Sequence, residues 1–147
     1  MLIHSEAEML QYGEKLGKSL NAPCVLELLG DVGAGKTTLT RGIARGLGVA
    51  DSVTSPSFTL SKEYLGKKYR LVHYDFYRLP DPGIMAENLS ETMNDQRTIT
   101  IVEWGQSVQD ILPKDRQTIE IHYIDENTRE LIERWNYIST LRSRKRS

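Results

Sequence analysis

The sequence contains little cysteine, no excess of charge of one sign and no long apolar run. Cys24 is the single cysteine, which excludes an intrachain disulfide framework. Lysine and arginine number 19 against 20 aspartates and glutamates, so no global positive field attracts DNA or a membrane surface. No stretch approaches the roughly 18 apolar residues of a membrane span. The N-terminal segment carries Glu6, Glu8 and Glu14 where a signal peptide is basic, so we expect a cytoplasmic location.

The 147 residues fit one domain with a single hydrophobic core. A basic segment that lacks apolar residues follows Leu141, namely Arg142, Ser143, Arg144, Lys145, Arg146 and Ser147. We therefore expect a single domain over residues 1–141 and a disordered basic tail over residues 142–147.

Apolar periodicity and turn residues predict an alternation of helices and strands. Ser5 and Glu8 form a capping-box pattern at the start of the first helix. Helices are predicted over residues 6–20, 37–47, 84–93 and 105–112, and strands over 24–29, 59–64, 69–74, 98–102 and 118–124. Residues 129–134 fit a strand or a helix, and we favour the strand. The pattern predicts a three-layer α/β domain with a mixed, mainly parallel sheet, to which residues 59–74 add an antiparallel hairpin.

A glycine-rich loop lies between the first apolar strand and the second helix. Gly30, Gly35, Lys36 and Thr37 match the pattern G-x-x-x-x-G-K-[ST] of P-loop proteins. Glycines let backbone N–H groups converge on a phosphate, the lysine supplies a positive charge, and the threonine hydroxyl ligates Mg²⁺. The loop predicts binding of a nucleoside triphosphate with Mg²⁺. The residues expected to contact the nucleotide are Asp31, Gly33, Ala34, Gly35, Lys36, Thr37 and Thr38.

Two predicted strands end in an acidic residue, as the second metal-directed acid of a P-loop site requires. Asp75 follows an apolar strand, and Glu103 follows another. Ligands bind at the carboxyl ends of parallel strands, so either acid could face the ion. His73 lies two residues before Asp75, on the same strand face, where packing or a bond to an aspartate is expected. Trp104 either covers the site or packs in the core.

Four segments with this order and spacing resemble the TsaE (YjeE) family of bacterial ATPases. They are the loop at residues 29–38 (LGDVGAGKTT), residues 53–60 (VTSPSFTL), residues 73–79 (HYDFYRL) and residues 101–104 (IVEW). The resemblance covers residues 26–104, and the preceding helix also fits.

The resemblance implies a small P-loop fold and slow ATP hydrolysis with Mg²⁺. It also implies a role in forming threonylcarbamoyladenosine beside the anticodon of ANN-decoding tRNAs, with TsaD and TsaB as protein partners and tRNA as an indirect one. Carried over to this chain, Asp75 and Glu103 are the functional acids, and Trp104 lies beside the site. Thr54 and Ser55 belong to a switch-like loop near the γ-phosphate.

Other functions also begin with a strand, a P-loop and a helix. A small-molecule kinase carries an arginine-bearing lid, and the arginines after Gly105 form no such cluster. A GTPase reads guanine with Asn-Lys-x-Asp, which the sequence lacks. A non-hydrolysing module, in which ATP is only a structural ligand, remains a further alternative.

Overall fold

The computed structural model describes residues 1–31, 33–54, 61–77 and 83–134, and the structural statements below refer to these residues. They form seven strands, three α-helices and one 3₁₀ turn. In chain order these are β1 (Leu2–Ile3), α1 (Glu6–Ser19), β2 (Cys24–Leu29), α2 (Lys36–Gly46), β3 (Ser61–Leu65), β4 (Arg70–Asp75), α3 (Ile84–Asn94), β5 (Thr98–Glu103), the 3₁₀ turn Gly105–Val108, β6 (Gln117–Tyr123) and β7 (Arg129–Arg134). Within the described part of the chain, no helix has the length and apolar character needed to cross a membrane.

The strands form one mixed sheet in the order β1-β7-β6-β2-β5-β4-β3. The four central strands β6, β2, β5 and β4 pair in parallel. The hairpins β3–β4 and β6–β7 and the short strand β1 add antiparallel pairs at the two sides. The predicted α/β fold is therefore confirmed, with its parallel part confined to the centre. The carboxyl ends of β2, β5 and β4 meet at one edge of the sheet, where ligands bind in this architecture.

Helices cover both faces of the central strands, which gives three layers. On one face α1 and α2 pack against leucine and isoleucine side chains of the sheet. On the other face α3 and the segment after β5 cover a second cluster. Each fully buried aliphatic side chain stabilises the fold by about 1.5–3 kcal/mol. The largest fully buried side chains are Tyr74, Phe76, Leu26, Leu28, Leu39, Ile43, Leu71, Leu89, Ile99, Ile101, Ile119 and Ile121.

Helices α1 and α2 approach each other through glycines. A Cβ added at Gly17 would lie 2.3 Å from the carbonyl oxygen of Ile43, and one added at Gly46 would lie 2.3 Å from that of Glu14. At Gly13 and Gly42 the nearest backbone oxygens would be 2.7 and 2.6 Å away. Ordinary contacts begin at 3.4 Å, so no other residue type fits at these positions without displacement of a backbone. The helix that begins at the phosphate loop is thus packed directly on α1.

Element boundaries differ from the predicted ones by one or two residues, with two larger differences. The helix predicted over residues 105–112 is only the 3₁₀ turn Gly105–Val108, followed by turns that lead into Pro113. Strand β1 was not predicted, because two residues carry no periodic signal. The strand favoured over residues 129–134 is confirmed as β7. The predicted strand residues 59–60 and the tail 142–147 lie outside the described residues.

Candidate functional site

The glycine-rich loop joins the end of β2 to the first turn of α2. Gly30, Gly33 and Gly35 have φ angles of 152°, 82° and 111°, in the region that side chains with a Cβ rarely adopt. Gly35 is the N-cap of α2, and no side chain caps this end of the helix. The backbone N–H groups of the first turn and the positive end of the helix dipole are therefore directed toward the loop. This arrangement binds phosphate.

Lys36 occupies a buried position within the loop. Its side chain extends along the loop, and Nζ donates to the Gly30 carbonyl oxygen at 2.5 Å. The ammonium also lies 3.8 Å from the centre of the Trp104 ring. Burial lowers the pKa of Lys36, and the opposing influence of Glu103, Asp75 and Asp31 favours the charged form. The three carboxylates that favour the charged form of Lys36 are Asp31, predicted as a nucleotide contact, and Asp75 and Glu103, predicted as the functional acids.

Trp104 has an unusual backbone conformation. With φ 56° and ψ 46° it is the one residue other than glycine with positive φ among the described residues. Such a conformation costs of the order of 1–3 kcal/mol and persists only when its surroundings fix it. The Tyr77 ring lies 4.8 Å from the Trp104 ring at an angle of 45°. Together the two aromatic rings form a wall beside the Lys36 ammonium.

The acids Asp75 and Glu103 end neighbouring parallel strands and lie in register. Asp75 pairs with Glu103 across β4 and β5, and Glu103 pairs with Leu28 across β5 and β2. The Phe76 amide donates to the Glu103 carbonyl oxygen at 3.0 Å, which continues the pairing beyond the strands. Both acids are thus placed at the edge of the sheet that carries the phosphate loop.

Glu103 is held by a buried histidine. His73 Nε2 lies 2.5 Å from Glu103 Oε2, and both side chains are almost fully buried. The sequence predicts a packed histidine or one bonded to an aspartate; His73 is packed, and the acid that it contacts is Glu103. His73 Nδ1 is buried without a hydrogen-bond partner. An ionised carboxylate can only accept a hydrogen bond, so we assign the proton to Nε2, which donates to Glu103, and Nδ1 is the unpaired acceptor.

Asp75 is half-buried, and one oxygen is already occupied. Its Oδ1 accepts from the Tyr77 amide at 2.9 Å. Desolvation raises the pKa of Asp75, and the neighbouring Glu103 raises it further, whereas the Tyr77 hydrogen bond, His73 and Lys36 lower it. A cation between the two carboxylates would relieve their repulsion.

The donors at this edge are of the type that Mg²⁺ uses in proteins. No group of three or more His, Cys, Asp or Glu side chains that could hold a metal occurs among the described residues. Mg²⁺ typically uses one or two carboxylates together with substrate phosphates and waters. Asp75, Glu103 and the Thr37 hydroxyl at the start of α2 supply that type of donor set.

The predicted switch-like loop is described only in part. Thr54 is bound to two residues of β3. Its side-chain hydroxyl accepts a hydrogen bond from Lys62 Nζ at 2.5 Å, and its carbonyl oxygen accepts one from the Tyr64 hydroxyl at 3.2 Å. Arg41 of α2 donates to the adjacent Val53 carbonyl oxygen at 3.1 Å. Ser55 lies outside the described residues.

Arg129, which sequence reasoning missed, supports the phosphate loop from β7. Its Nε donates to the Ala34 carbonyl oxygen at 3.1 Å, and its guanidinium lies 4.6 Å from the Tyr123 ring centre. A cleft of about 380 Å³ adjoins this contact, and Gly33, Thr38 and Arg129 are among the residues that line it. No sequence motif marks Arg129, because its role depends on the pairing of β7.

A larger cleft of about 830 Å³ lies at the opposite, amino-terminal end of the central strands, beside Cys24 and Gln117. None of the buried unpaired side-chain polar atoms found in the described residues belongs to a residue that lines it. Size alone therefore does not make it the functional site.

The phosphate loop between a central parallel strand and a helix, with acids at the ends of two neighbouring strands, defines a P-loop NTPase-type domain. A solved structure, the crystal structure of Bacillus subtilis YdiB, resembles the chain with a TM-score of 0.77 and 31% sequence identity. The similarity covers 99% of this chain and 93% of that one.

Sequence comparisons narrow this class to one family. The family model for the threonylcarbamoyl adenosine biosynthesis protein TsaE matches residues 3–131. A TsaE protein of Streptomyces coelicolor is 40% identical over 115 residues, which are 77% of this chain and 78% of that protein. One of Haemophilus influenzae is 36% identical over 129 residues, 84% of this chain and 82% of that protein. The chain belongs to the TsaE family, as the sequence resemblance predicted.

Proposed function

We propose that the chain binds ATP with Mg²⁺ at residues 30–37 and hydrolyses it slowly. The observation that carries this proposal is the convergence of Lys36, the uncapped start of α2, Asp75 and Glu103 at one edge of the sheet. A triphosphate with its ion needs a positive charge, free backbone N–H groups and carboxylates together at one place.

Each residue has a distinct role in this proposal. Lys36 leaves the Gly30 carbonyl oxygen and binds the β- and γ-phosphates, while Thr37, Asp75 and Glu103 hold the ion and its waters. When bound, Mg²⁺ would neutralise the charge that develops on the phosphates. Because His73 binds one oxygen of Glu103, the orientation of this carboxylate is fixed, and its other oxygen would be the one to order a water. The predicted nucleotide contacts of Asp31, Gly33, Ala34, Gly35 and Thr38 remain part of the proposal.

Slow turnover is expected because no described arginine is placed to stabilise the transition state. Arg129, at the phosphate loop, donates to the carbonyl oxygens of Ala34, Asp125 and Thr128. An arginine supplied by a partner raises hydrolysis by P-loop enzymes about 10³–10⁵-fold. We therefore propose that a partner protein completes the site or responds to it through Thr54, Ser55 and their neighbours.

The cellular role that we propose is formation of threonylcarbamoyladenosine in tRNA. Its support is family membership, since the relatives are described as tRNA threonylcarbamoyladenosine biosynthesis proteins. We propose that TsaD and TsaB are the partners, that tRNA is reached through them, and that the reaction takes place in the cytoplasm. The alternatives are a small-molecule kinase and a non-hydrolysing ATP-binding module.

The test is ATP hydrolysis by the purified chain, alone and with TsaB and TsaD from the same organism. Slow hydrolysis that changes when the partners are added, together with partner-dependent tRNA modification, is the expected result. Hydrolysis that ignores the partners, or phosphate transfer to a small-molecule acceptor only, would support the kinase. ATP binding without hydrolysis, even with the partners present, would support the module.

Two variants separate binding from hydrolysis. Lys36→Ala should weaken ATP binding, because the buried positive charge is lost. Glu103→Gln should preserve binding and abolish hydrolysis, since the amide retains the shape but not the charge. Isothermal titration and phosphate release measure the two effects. If Glu103→Gln hydrolysed ATP at the wild-type rate with the partners present, the proposed role of Glu103 would be wrong.

A further inference from the structure

A carboxylate is buried in the strand that leads to the phosphate loop. Glu27, in the middle of β2, is only 3% exposed and pairs with Val102 on one side and Thr118 on the other. Like Val25 two residues earlier, it faces the side of the sheet that α3 covers. A charge in such a position is retained only if hydrogen bonds replace its water. Its partners therefore indicate what it does.

Both oxygens of Glu27 are bound by the segment that follows β5. Arg116 Nε donates to Oε1 at 2.8 Å, and Gln109 Nε2 donates to Oε2 at 2.6 Å. Arg116 also donates to Gln109 Oε1 at 2.9 Å and to the Pro113 carbonyl oxygen at 3.0 Å. The carboxylate, the guanidinium and the amide thus form a closed network of charge-assisted bonds.

This network reaches the backbone beside Trp104. Gln109 Nε2 donates also to the Gly105 carbonyl oxygen at 3.0 Å. A Cβ added at Gly105 would lie 3.3 Å from Glu27 Oε2 and 3.1 Å from a methyl group of Val102, so the turn lies tightly against the carboxylate. Gly105 follows Trp104, whose left-handed conformation needs a fixed surrounding, and whose ring covers the Lys36 ammonium.

We propose that Glu27 is a positioning residue for Trp104. Glu27 lies on the face of the sheet that α3 covers and binds Gln109 and Arg116. These two residues fix the turn after β5, and this turn holds the Trp104 ring against Lys36. The wall keeps water from the ammonium and so strengthens its attraction to phosphate. The consequence for nucleotide affinity rests on the proposed ATP binding, whereas the hold on Trp104 does not.

The test follows Trp104 directly, in a Trp135→Phe background that leaves Trp104 as the single tryptophan. Acrylamide quenching of its fluorescence is measured in the nucleotide-free protein. Glu27→Gln replaces one carboxylate oxygen with an NH₂ group, which then faces the donor group of Gln109 or Arg116. One hydrogen bond of the network is lost, while the size and shape of the side chain are kept. We expect the quenching constant roughly to double, as local opening exposes the ring.

Two further variants separate positioning from general stability. Gln109→Ala removes the bridge to Gly105 but leaves the Glu27–Arg116 ion pair. It should raise quenching with a smaller loss of stability than Glu27→Gln, because only Glu27 Oε2 loses its partner. Glu120→Gln is the matched control. Glu120 lies on β6, the strand next to β2, and its carboxylate is paired with Arg134 of β7 at 3.0 Å. It should leave Trp104 quenching unchanged.

The second part of the experiment measures the affinity of the same variants for ATP with Mg²⁺. Glu27→Gln and Gln109→Ala should weaken binding about two- to fivefold, the range of a partly exposed cation–π contact. Unchanged quenching in a folded Glu27→Gln protein or in Gln109→Ala, or an equal rise in Glu120→Gln, would overturn the proposal. If Glu27→Gln does not fold, Gln109→Ala alone decides. Absence of ATP binding in the wild type would refute the proposed function, while the quenching result would still stand.

Discussion

Replacing Gly17 with alanine is expected to separate the helix at the phosphate loop from its neighbour. The added Cβ would lie 2.3 Å from the Ile43 carbonyl oxygen and 3.1 Å from the Gly46 Cα. The nearest atoms belong to the backbone of α2, so no side-chain rotation relieves the clash. The interaxial distance must grow by roughly 1 Å to restore ordinary contact, and well-packed interiors transmit such a shift.

Two opposing effects set the size of the loss in stability. Overpacking of a tight interface costs about 1–3 kcal/mol. Alanine in place of glycine within a helix returns about 0.5–1 kcal/mol, because the unfolded chain has less backbone freedom to lose. We expect a net loss of about 1–2 kcal/mol. For a chain of this length, that corresponds to a decrease in Tm of roughly 2–8 °C.

Chemical and thermal unfolding measure this loss, with Gln11→Ala as the control. Gln11 is exposed on the same helix, and its replacement should change stability by less than about 0.5 kcal/mol. The double variant Gly17→Ala/Gly46→Ala should lose less than the sum of the single variants, because the first separation makes room for the second Cβ. A Gly17→Ala protein as stable as the wild type would refute the close backbone approach of α1 and α2.

Three further predictions concern charge and chemistry. Burial raises the pKa of Asp75 above its usual 3.8. The folded chain therefore holds the Asp75 proton to a higher pH than the unfolded chain does, and the fold loses stability as pH rises from 3.8 through the raised pKa. Asp75→Asn should thus raise the Tm at pH 7 and not at pH 3, as calorimetry would show. Burial raises the pKa of Cys24 to about 11. At pH 8, iodoacetamide should therefore alkylate the folded chain far more slowly than the urea-unfolded chain, and the rate for the folded chain should increase about tenfold per pH unit. A fast reaction of the folded chain would contradict this. Arg129→Ala should cost about 1–3 kcal/mol in urea unfolding and weaken ATP binding, and an unchanged ATP affinity would exclude support of the loop by Arg129.

The features that sequence predicted well are those with local signals. The phosphate loop is marked by glycine, lysine and threonine at fixed spacing, and β2 and α2 by apolar periodicity around it. Ser5 caps α1 as predicted, since its side chain accepts from the Glu8 amide. Each of these outcomes depends on residues a few positions apart.

The features that were missed depend on residues far apart in the chain. Glu27 is visible as a charge in an apolar run, yet nothing local connects it with Arg116. From the sequence, the glycines of α1 and α2 are only residues of low helix propensity. Their role is visible only in the contact between the two helices, where no Cβ fits. The helix predicted over residues 105–112 is only a 3₁₀ turn, which begins after the left-handed Trp104 and carries a hydrogen bond from the Gln109 side chain to the Gly105 carbonyl oxygen. Tertiary contacts determined these features.

The order of the strands has a consequence for synthesis on the ribosome. Strand β2 hydrogen-bonds to no strand near it in sequence: Cys24 pairs with Ile99, and Leu26 pairs with Gln117. The phosphate loop therefore has no sheet beneath it until β5 and β6 have emerged. Such distant pairing slows folding and leaves the apolar strand exposed in the nascent chain. A polypeptide stalled before β5 would carry the complete nucleotide motif and yet lack the scaffold that gives the motif its shape.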